Sequence, residues 1–168
     1  MTDFNLGQHR TLNETSIPWS FDLDDDPEKL QHDMIECMLE NRGIGLAANQ
    51  IGLNKRVFVM GSEYSIGFPK PFALFNPRII QQSENSIVDK EGCLSFPGLF
   101  LNIKRPDWVV VEYQDYQGNT NTYKATDYVG KCVQHEIDHL NGICFVDIVS
   151  PLKLKLAKQR QRKHHDRT

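Results

Sequence analysis

The segment 127–141 constrains the fold more than any other part of the chain, because it must both pack and carry chemistry. Its apolar residues recur at the spacing of one helix face. They are Val129, Val133, Ile137 and Leu140. The polar residues His135, Glu136 and His139 fall on a different face of the same helix. We therefore expect a central helix that ends before Gly142, with one face in the core and the other lining a site.

The motif HEIDH (135–139) indicates a metal site. Imidazoles at positions i and i+4 lie about one helical turn apart, so both can reach one ion while Glu136 contacts a bound water. A catalytic site also needs a third protein ligand and an open position. Phe145 stands where the metzincin pattern requires a histidine, and no glutamate follows Glu136 to act as the ligand of other zincins. A zincin-like metallopeptidase is therefore the weaker enzyme alternative.

A cysteine is the remaining type of third ligand. Cys132 lies seven residues before His139, about 10.5 Å along the helix axis, which favours a small buried residue over a ligand. Cys93 lies in the polar, glycine-rich segment EGCLSFPG (91–98), which we interpret as a stretch between strands. Glu91 in that segment is suited to accept a hydrogen bond from a ligand imidazole. Their apolar surroundings indicate core positions for Cys37 and Cys144.

The rest of the pattern predicts an α+β fold. A helix is expected over 27–42, capped by Asp26 and followed by Gly43. β-Branched and aromatic runs predict short strands, and a turn after the last run predicts a hairpin over 107–125. The strand runs are 56–60, 72–80, 99–103 and 107–113. We expect short, largely antiparallel β-sheets packed around a central HExxH helix, with an additional N-terminal helix and a C-terminal helix.

The composition is that of a globular protein, with 39% hydrophobic and 24% charged residues in a length that suits one main domain. No apolar run approaches the ~20 residues of a bilayer span, which excludes a membrane protein. Residues 1–16 contain acidic side chains and lack the apolar core of a secretory signal, so a cytoplasmic location is expected. In that compartment the four cysteines are expected to be thiols or metal ligands.

Positive charge is concentrated in the segment 152–168. It holds seven of the 19 Lys and Arg residues and one of the 22 acids, which gives it a charge of +6 and leaves −9 elsewhere. We therefore predict a single catalytic metallohydrolase domain, 1–151, and a basic C-terminal tail, 152–168. Helix formers predict a helix over 150–165, although LKLKL alternates as a strand would at 152–156. A structural Cys/His metal-site protein with an RNA-binding basic tail is the non-enzymatic alternative.

Three short motifs, in this order and at these separations, resemble the signature motifs of the peptide deformylase family. They are GIGLAANQ (43–50), EGCLS (91–95) and QHEIDH (134–139). The resemblance covers roughly residues 28–151. The first 26 residues differ from the family's usual opening, and Asn49 stands where many members have proline. Neither departure involves a metal ligand.

The resemblance implies a reaction and a set of roles. It implies that the chain removes the formyl group from the N-terminal formyl-methionine of nascent polypeptides and releases formate. Glu136 would be the general acid and base, while the Gln50 amide and the Leu94 backbone N–H would stabilise the oxyanion. The cofactor would be one divalent metal ion, natively Fe(2+), with Zn(2+), Ni(2+) or Co(2+) as substitutes. Its ligands would be Cys93, His135 and His139.

The resemblance to the family also implies which residues contact the substrate. A tight cleft between Gly45 and the metal would admit a formyl group, which carries only hydrogen on its carbonyl carbon, and would exclude bulkier acyl groups. Ile44 and Cys132 would line the pocket for the methionine side chain. The expected partners are formyl-methionyl nascent peptides and, through the basic tail 152–168, the ribosome near its exit site. No DNA and no membrane partner is expected.

Overall fold

The computed structural model describes Phe4, residues 6–62 and residues 67–165, and within these it contains four α-helices and seven strands. The helices are α1 (Pro27–Glu40), α2 (Asp127–Leu140), α3 (Phe145–Ile148) and α4 (Pro151–His165). The strands are β1 (Gly45–Ala47), β2 (Val57–Met60), β3 (Phe72–Gln82), β4 (Ser86–Cys93), β5 (Phe96–Pro106), β6 (Trp108–Gln114) and β7 (Thr120–Thr126). Two short 3-10 helices cover Arg10–Asn13 and Ala48–Ile51.

The seven strands form two sheets in which each strand runs antiparallel to its neighbour. The larger sheet has the order β1-β2-β3-β6-β7, and the smaller is the β4-β5 hairpin. Strands β6 and β7 pair in unbroken register from Trp108 and Thr126 to Gln114 and Thr120, as the turn residues between them predicted. The predicted α+β class with largely antiparallel sheets is confirmed.

Helix α2 lies at the centre of the domain. Eleven of its fourteen residues are buried, so its chemical face is shielded from solvent as well as its apolar face. Val133 and Leu140 are fully buried among residues of β2, β6 and β7 in the main apolar cluster. The apolar spacing of 127–141 thus predicted the packing of the helix, while the enclosure of its other face results from the β4-β5 hairpin.

Helix α1 follows the signals at its ends. The Asp26 carboxylate accepts hydrogen bonds from two backbone N–H groups of the first turn, and Pro27 occupies the first helical position. The helix ends at Glu40, slightly before the predicted end at 42. Its buried face packs on β2 and β3 in a second apolar cluster. That face consists of Met34, Cys37 and Met38.

The β4-β5 hairpin corrects the sequence interpretation of the segment 91–98. Residues 91–93 continue β4 and residues 96–98 begin β5, so only Leu94 and Ser95 form the turn between them. Most of β4 is exposed, so its sequence lacks the apolar alternation that marks a half-buried strand. The short strand β1 was also missed, because its three residues are all buried and show no alternation.

Helix α4 is the C-terminal helix of the predicted fold, and a strand at 152–156 is wrong. Ala157 is buried in a third apolar cluster with residues of β5 and α3, and Gln161 Nε2 donates a hydrogen bond to Pro97 O at 2.6 Å. Most other side chains over 151–162 are exposed. Residues 166–168 of the basic tail lie outside the described residues. In the described part of the chain, no helix has the length and apolar character needed to cross a membrane.

Candidate metal centre and active site

Strand β4 lies alongside helix α2 and contacts it at three successive levels. Every second residue of the strand from 89 to 93 faces the helix, and every fourth residue of the helix from 131 to 139 faces the strand. The contacts are Asp89 with Lys131, Glu91 with His135, and Cys93 with His139. Two strand residues advance about 6.6 Å and four helix residues about 6 Å, so the two spacings match. We call these three contacts the β4-α2 ladder.

The ladder brings the predicted metal ligands together. Cys93, His135 and His139 each offer a donor atom, and these atoms all lie within 4.8 Å of one another. Cys93 Sγ is 3.2 Å from His139 Nε2, and both histidines are buried. Donor separations of this size suit a tetrahedral ion with a metal–sulfur distance of about 2.3 Å and metal–nitrogen distances of about 2.0 Å. One thiolate and two imidazoles fit a divalent metal and leave its fourth position for water.

The other three cysteines lie outside this donor group. All four cysteines of the chain lie among the described residues and are free of disulfide bonds. The Cys132 thiol donates to Ile44 O at 3.5 Å, and burial raises its pKa well above the usual value. Cys144 Sγ lies 4.0 Å from His139 Nδ1, and burial raises the pKa of Cys144 to about 12. Both thiols are therefore protonated. Three ligands among the described residues fit a catalytic site better than a closed structural site, which takes four.

Glu91 is the centre of a buried polar network. Its Oε2 lies 3.1 Å from His135 Nδ1, which leaves His135 Nε2 for a metal. Arg105 donates to both Glu91 oxygens, at 2.5 and 3.0 Å, and its third nitrogen donates to Asp138 at 2.7 Å. Burial acts to raise the pKa of Glu91, but the hydrogen bonds from His135 and Arg105 outweigh it and lower the pKa below its ordinary value. The carboxylate therefore stays charged and fixes the orientation of His135.

Arg105 was not predicted as a site residue, although its position in the sequence carries a signal. Leu99, Leu101, Ile103 and Arg105 alternate along β5, and all four are buried. An arginine in phase with the buried apolar positions of a strand needs a buried acidic partner. The predicted strand stopped at residue 103, so the arginine was left outside the pattern.

Glu136 lies across a narrow gap from Gly45. The side chain is buried, and its Oε2 has no hydrogen-bond partner among the described residues. Burial raises the pKa of Glu136 to about 7, against the opposing charge of His135. A Cβ atom added at Gly45 would lie 2.5 Å from Glu136 Oε1 and 2.8 Å from Cys132 Sγ, so the absence of a side chain at Gly45 leaves room for the carboxyl group. Such a carboxyl group can accept and release a proton near neutral pH.

The Gln50 amide is held at both ends. Its Oε1 accepts a hydrogen bond from the Ala47 backbone N–H at 2.8 Å. Its Nε2 lies 3.2 Å from Ser95 Oγ and 3.5 Å from Cys93 Sγ, so the donor end points toward Cys93, a predicted metal ligand. Leu94 follows Cys93 in the β4-β5 turn and lines the same cleft. No sequence pattern distinguishes Ser95, because its contact with Gln50 depends on the β4-β5 turn that brings the two residues together.

Asn49 connects the first motif to the metal helix. Its Nδ2 donates to His139 O at 2.5 Å, and the Thr11 hydroxyl donates to Asn49 O at 2.8 Å. The residue is fully buried. The asparagine at this position therefore adds a direct hydrogen bond to the backbone of His139, a predicted metal ligand, and proline cannot make this contact.

The predicted site residues surround one cleft with a volume of about 640 Å³. Nine of them line it: Ile44, Gly45, Gln50, Glu91, Cys93, Leu94, Cys132, His135 and Glu136. His139 is fully buried and is not part of the lining. Three residues that were not predicted also contribute to the wall: Phe68, Tyr128 and Lys131. The three motifs are therefore brought together around a single cavity.

A Cys-His-His donor group, a buried carboxyl group beside it and an open cleft, on an α+β fold, are the features of a mononuclear metal hydrolase. The sequence profile of the family described as polypeptide deformylase matches residues 2–155. The chain belongs to this family.

Individual relatives agree with the family match. Peptide deformylase 1 of Nostoc sp. is 46% identical over 137 residues, which is 82% of this chain and 73% of the relative. The peptide deformylase of Wolbachia pipientis wMel is 38% identical over 156 residues, 86% of this chain and 87% of the relative. The crystal structure of a peptide deformylase from Synechococcus elongatus in complex with actinonin has a TM-score of 0.86 at 35% identity, covering 96% of this chain and 89% of that one. The fold and the sequence therefore indicate the same family.

Proposed function

We propose that this chain removes the formyl group from formyl-methionyl nascent peptides and releases formate. Its family membership supports the reaction. One observation carries the assignment of the site: the donor group of Cys93, His135 and His139 lies beside the buried carboxyl group of Glu136 at one cleft. The family match gives no support to the metallopeptidase alternative.

The metal would be held by Cys93, His135 and His139, with Glu91 orienting His135 through Nδ1. A divalent ion in such a site lowers the pKa of a bound water and polarises a carbonyl oxygen. We infer from the family resemblance that the native ion is Fe(2+), and that Zn(2+), Ni(2+) or Co(2+) can replace it. The soft thiolate of Cys93 suits all four ions.

Glu136 would move the proton. It would take a proton from the attacking water and later deliver it to the departing amine nitrogen of the peptide. Two features support this role. The Glu136 Oε2 atom lacks a partner among the described side chains, and Gly45 leaves the carboxyl group unobstructed. Both features leave a carboxyl oxygen available to a water molecule and to the substrate.

Gln50 and Leu94 would stabilise the transition state. Negative charge gathers on the formyl oxygen as its carbon becomes tetrahedral, and fixed donors aimed at that oxygen lower the barrier. Because Gln50 Oε1 is anchored by the Ala47 N–H, its Nε2 stays directed toward the ligand Cys93. The Leu94 backbone N–H, next to Cys93 in the turn, is the second proposed donor. Both donors are held by the fold before substrate binds.

The proposed selectivity has two parts. The narrow gap at Gly45 would admit a formyl group and exclude larger acyl groups, because the glycine is already in close approach to Glu136 and Cys132. The methionine side chain would occupy the end of the cleft lined by Ile44 and Cys132.

A methyl group at Gly45 is expected to impair catalysis. In Gly45→Ala the added Cβ would lie 2.5 Å from Glu136 Oε1, so the carboxyl group must move out of its position. We expect kcat for formate release to fall by about tenfold to a hundredfold, as a displacement of about 1 Å produces in other enzymes. The matched control is Gly7→Ala, whose added Cβ would have its nearest neighbour at 3.8 Å. Unchanged turnover in Gly45→Ala would contradict the steric role of this glycine.

Formate release tests the proposed reaction. We expect protein prepared anaerobically with Fe(2+) to release formate from an N-formyl-methionyl peptide, and metal-stripped protein to release none. In air the Fe(2+) protein is expected to lose activity through oxidation of its iron and thiolate, whereas Ni(2+) protein retains it. Absence of release from fully metallated protein would contradict the reaction. Iron protein that stays fully active for days in air would contradict only the assignment of the native ion.

We propose further that residues 1–151 form the catalytic domain, that the chain acts in the cytoplasm, and that the basic tail contacts the ribosome. Helix α4 supports the last point, because its cationic side chains over 151–162 are exposed while Ala157 and Gln161 contact the domain. An exposed cationic helix is attracted to the phosphates of ribosomal RNA. No described residue of helix α4 is among the residues that line the cleft.

Removing positive charges from helix α4 is expected to weaken ribosome binding and to leave catalysis unchanged. The variant Lys155→Gln/Lys158→Gln/Arg162→Gln keeps the helix and removes three exposed charges. We expect ribosome affinity to fall at least about tenfold at low salt, with formyl-peptide turnover unchanged. A control variant removes three exposed lysines of the catalytic domain by the same substitution: Lys70, Lys104 and Lys124. Equal ribosome affinity in both variants and the unmodified protein, measured by sedimentation, would contradict the proposal.

A further inference from the structure

The first level of the β4-α2 ladder contributes no metal ligand. Lys131 Nζ forms an ion pair with Asp89 Oδ2. The Lys131 side chain is 8% exposed, whereas the Asp89 side chain is 49% exposed. Lysine is rarely buried to this extent, because an ammonium group removed from water needs compensation. The pair is therefore a costly feature at a position where an apolar residue would pack without penalty.

Lys131 lines the cleft together with Ile44 and Cys132, the two residues proposed to contact the methionine side chain. It directly precedes Cys132 on α2, and the Cys132 thiol contacts Ile44 O. The Lys131 ammonium is 5.6 Å from the centre of the Tyr128 ring, which lines the same cleft. The end of the cleft that would receive the methionine side chain is thus bordered by apolar residues and by one ammonium group held by Asp89.

This ammonium group has donor capacity beyond the ion pair. Lysine carries three N–H donors, and in the described part of the chain the hydrogen-bond acceptor of Lys131 is Asp89 Oδ2. A thioether sulfur is a weak acceptor and an amide oxygen is a stronger one. A buried donor discriminates between substrate side chains. A side chain with an acceptor atom pairs with the donor, whereas a side chain without an acceptor leaves the donor unpaired.

We propose that Lys131 is a specificity-determining residue of this pocket, whose ammonium group donates a hydrogen bond to an acceptor atom near the end of the substrate's first side chain. Asp89 is a positioning residue that holds the ammonium group and balances its charge, so the pocket selects uncharged acceptors over carboxylates. The inference rests on the proposed function, because it concerns the residue that carries the formyl group. It predicts discrimination between methionine or glutamine and the hydrocarbon side chain of norleucine.

The test compares kcat/KM for N-formyl-glutaminyl and N-formyl-norleucyl peptides of otherwise identical sequence. We expect the glutamine-to-norleucine ratio to fall at least about tenfold in Lys131→Met, which keeps a long side chain and removes the donors. The matched control is Lys124→Met. Lys124 lies on β7, with its ammonium group over the Trp108 ring of β6, and the glutamine-to-norleucine ratio of this variant should change by no more than about twofold. An unchanged ratio in Lys131→Met would overturn the inference.

A second variant tests the role of Asp89 and does not depend on the stability of Lys131→Met. In Asp89→Asn the half-exposed side chain keeps its shape and the ammonium group loses its balancing charge. We expect kcat/KM for N-formyl-glutamyl peptides, relative to N-formyl-glutaminyl peptides, to rise about two- to fivefold. No rise would overturn the inference. If the unmodified protein releases no formate from any of these peptides, the proposed function fails together with the inference, whereas unchanged ratios in an active enzyme overturn the inference alone.

Discussion

Replacing Glu136 with glutamine is expected to lower kcat for formate release by roughly a thousandfold, because the substituted amide cannot accept a proton from water or return one to the amine. Glutamine has nearly the same size as glutamate, so the gap at Gly45 remains filled as before. The three proposed metal ligands are unchanged, and we expect one metal ion per chain in the variant. The loss should therefore appear in kcat, with little change in KM.

The matched control for this variant is Glu112→Gln. Glu112 lies on β6 and pairs with Arg78 at the surface, so the same chemical change there should leave turnover within about twofold of the unmodified protein. Metal analysis and formate release are measured on both variants. If fully metallated Glu136→Gln keeps more than about a tenth of the original kcat, then Glu136 is not the group that moves the proton.

Replacing Arg105 with methionine is expected to lower the free energy of unfolding more than any of the other substitutions described above. Arg105 is buried and donates three hydrogen bonds, two to Glu91 and one to Asp138. Its removal leaves the Glu91 carboxylate buried without its main counter-ion, a change that costs about 3–5 kcal/mol in the free energy of unfolding. Because Glu91 also orients His135, we expect metal affinity to fall about 10- to 100-fold.

The appropriate control is Arg78→Met, which breaks the exposed ion pair with Glu112. A surface pair of this kind contributes less than about 1 kcal/mol. Denaturant unfolding gives the stability of each variant, and competition with a chelator gives its metal affinity. Two variants of equal stability would show that the Glu91 network does not depend on Arg105, and unchanged metal affinity in Arg105→Met would contradict its link to His135.

Local sequence patterns predicted much of the fold. Helix α2 was predictable because its apolar residues repeat at helical spacing, and α1 because Asp26 and Pro27 mark its start. Strand β4 was not predictable, because its mostly exposed residues carry no apolar alternation. Its partner is the adjacent strand β5 of a two-stranded sheet. The polar segment 91–98 resembled a loop for the same reason. Its strand character comes from pairing with β5, which is not a local property.

The residues of the candidate site also differ in whether a local sequence pattern could identify them. His135, Glu136 and His139 are linked by helix spacing, so one motif was enough to group them. Cys93 needed the resemblance as well, since 46 residues separate it in sequence from His139. Arg105, Asn49 and Lys131 were not assigned to the site, because each acts through a partner from another element. Only Arg105 carried a sequence signal, its position in phase with the buried residues of β5. The partners of all three become visible only when β4, β5 and the 3-10 helix Ala48–Ile51 are docked on α2.

The β4-α2 ladder also determines where the chain can change in length. One residue added or removed in β4 between positions 89 and 93 would turn every later side chain to the opposite face of the strand. A residue added in α2 between positions 131 and 139 would rotate the later side chains by about 100°. Either change would separate a proposed metal ligand from its partners, whereas the β6-β7 turn at 115–119 is not part of the ladder. We therefore expect insertions and deletions among relatives in such turns, and a constant length in the two ladder segments.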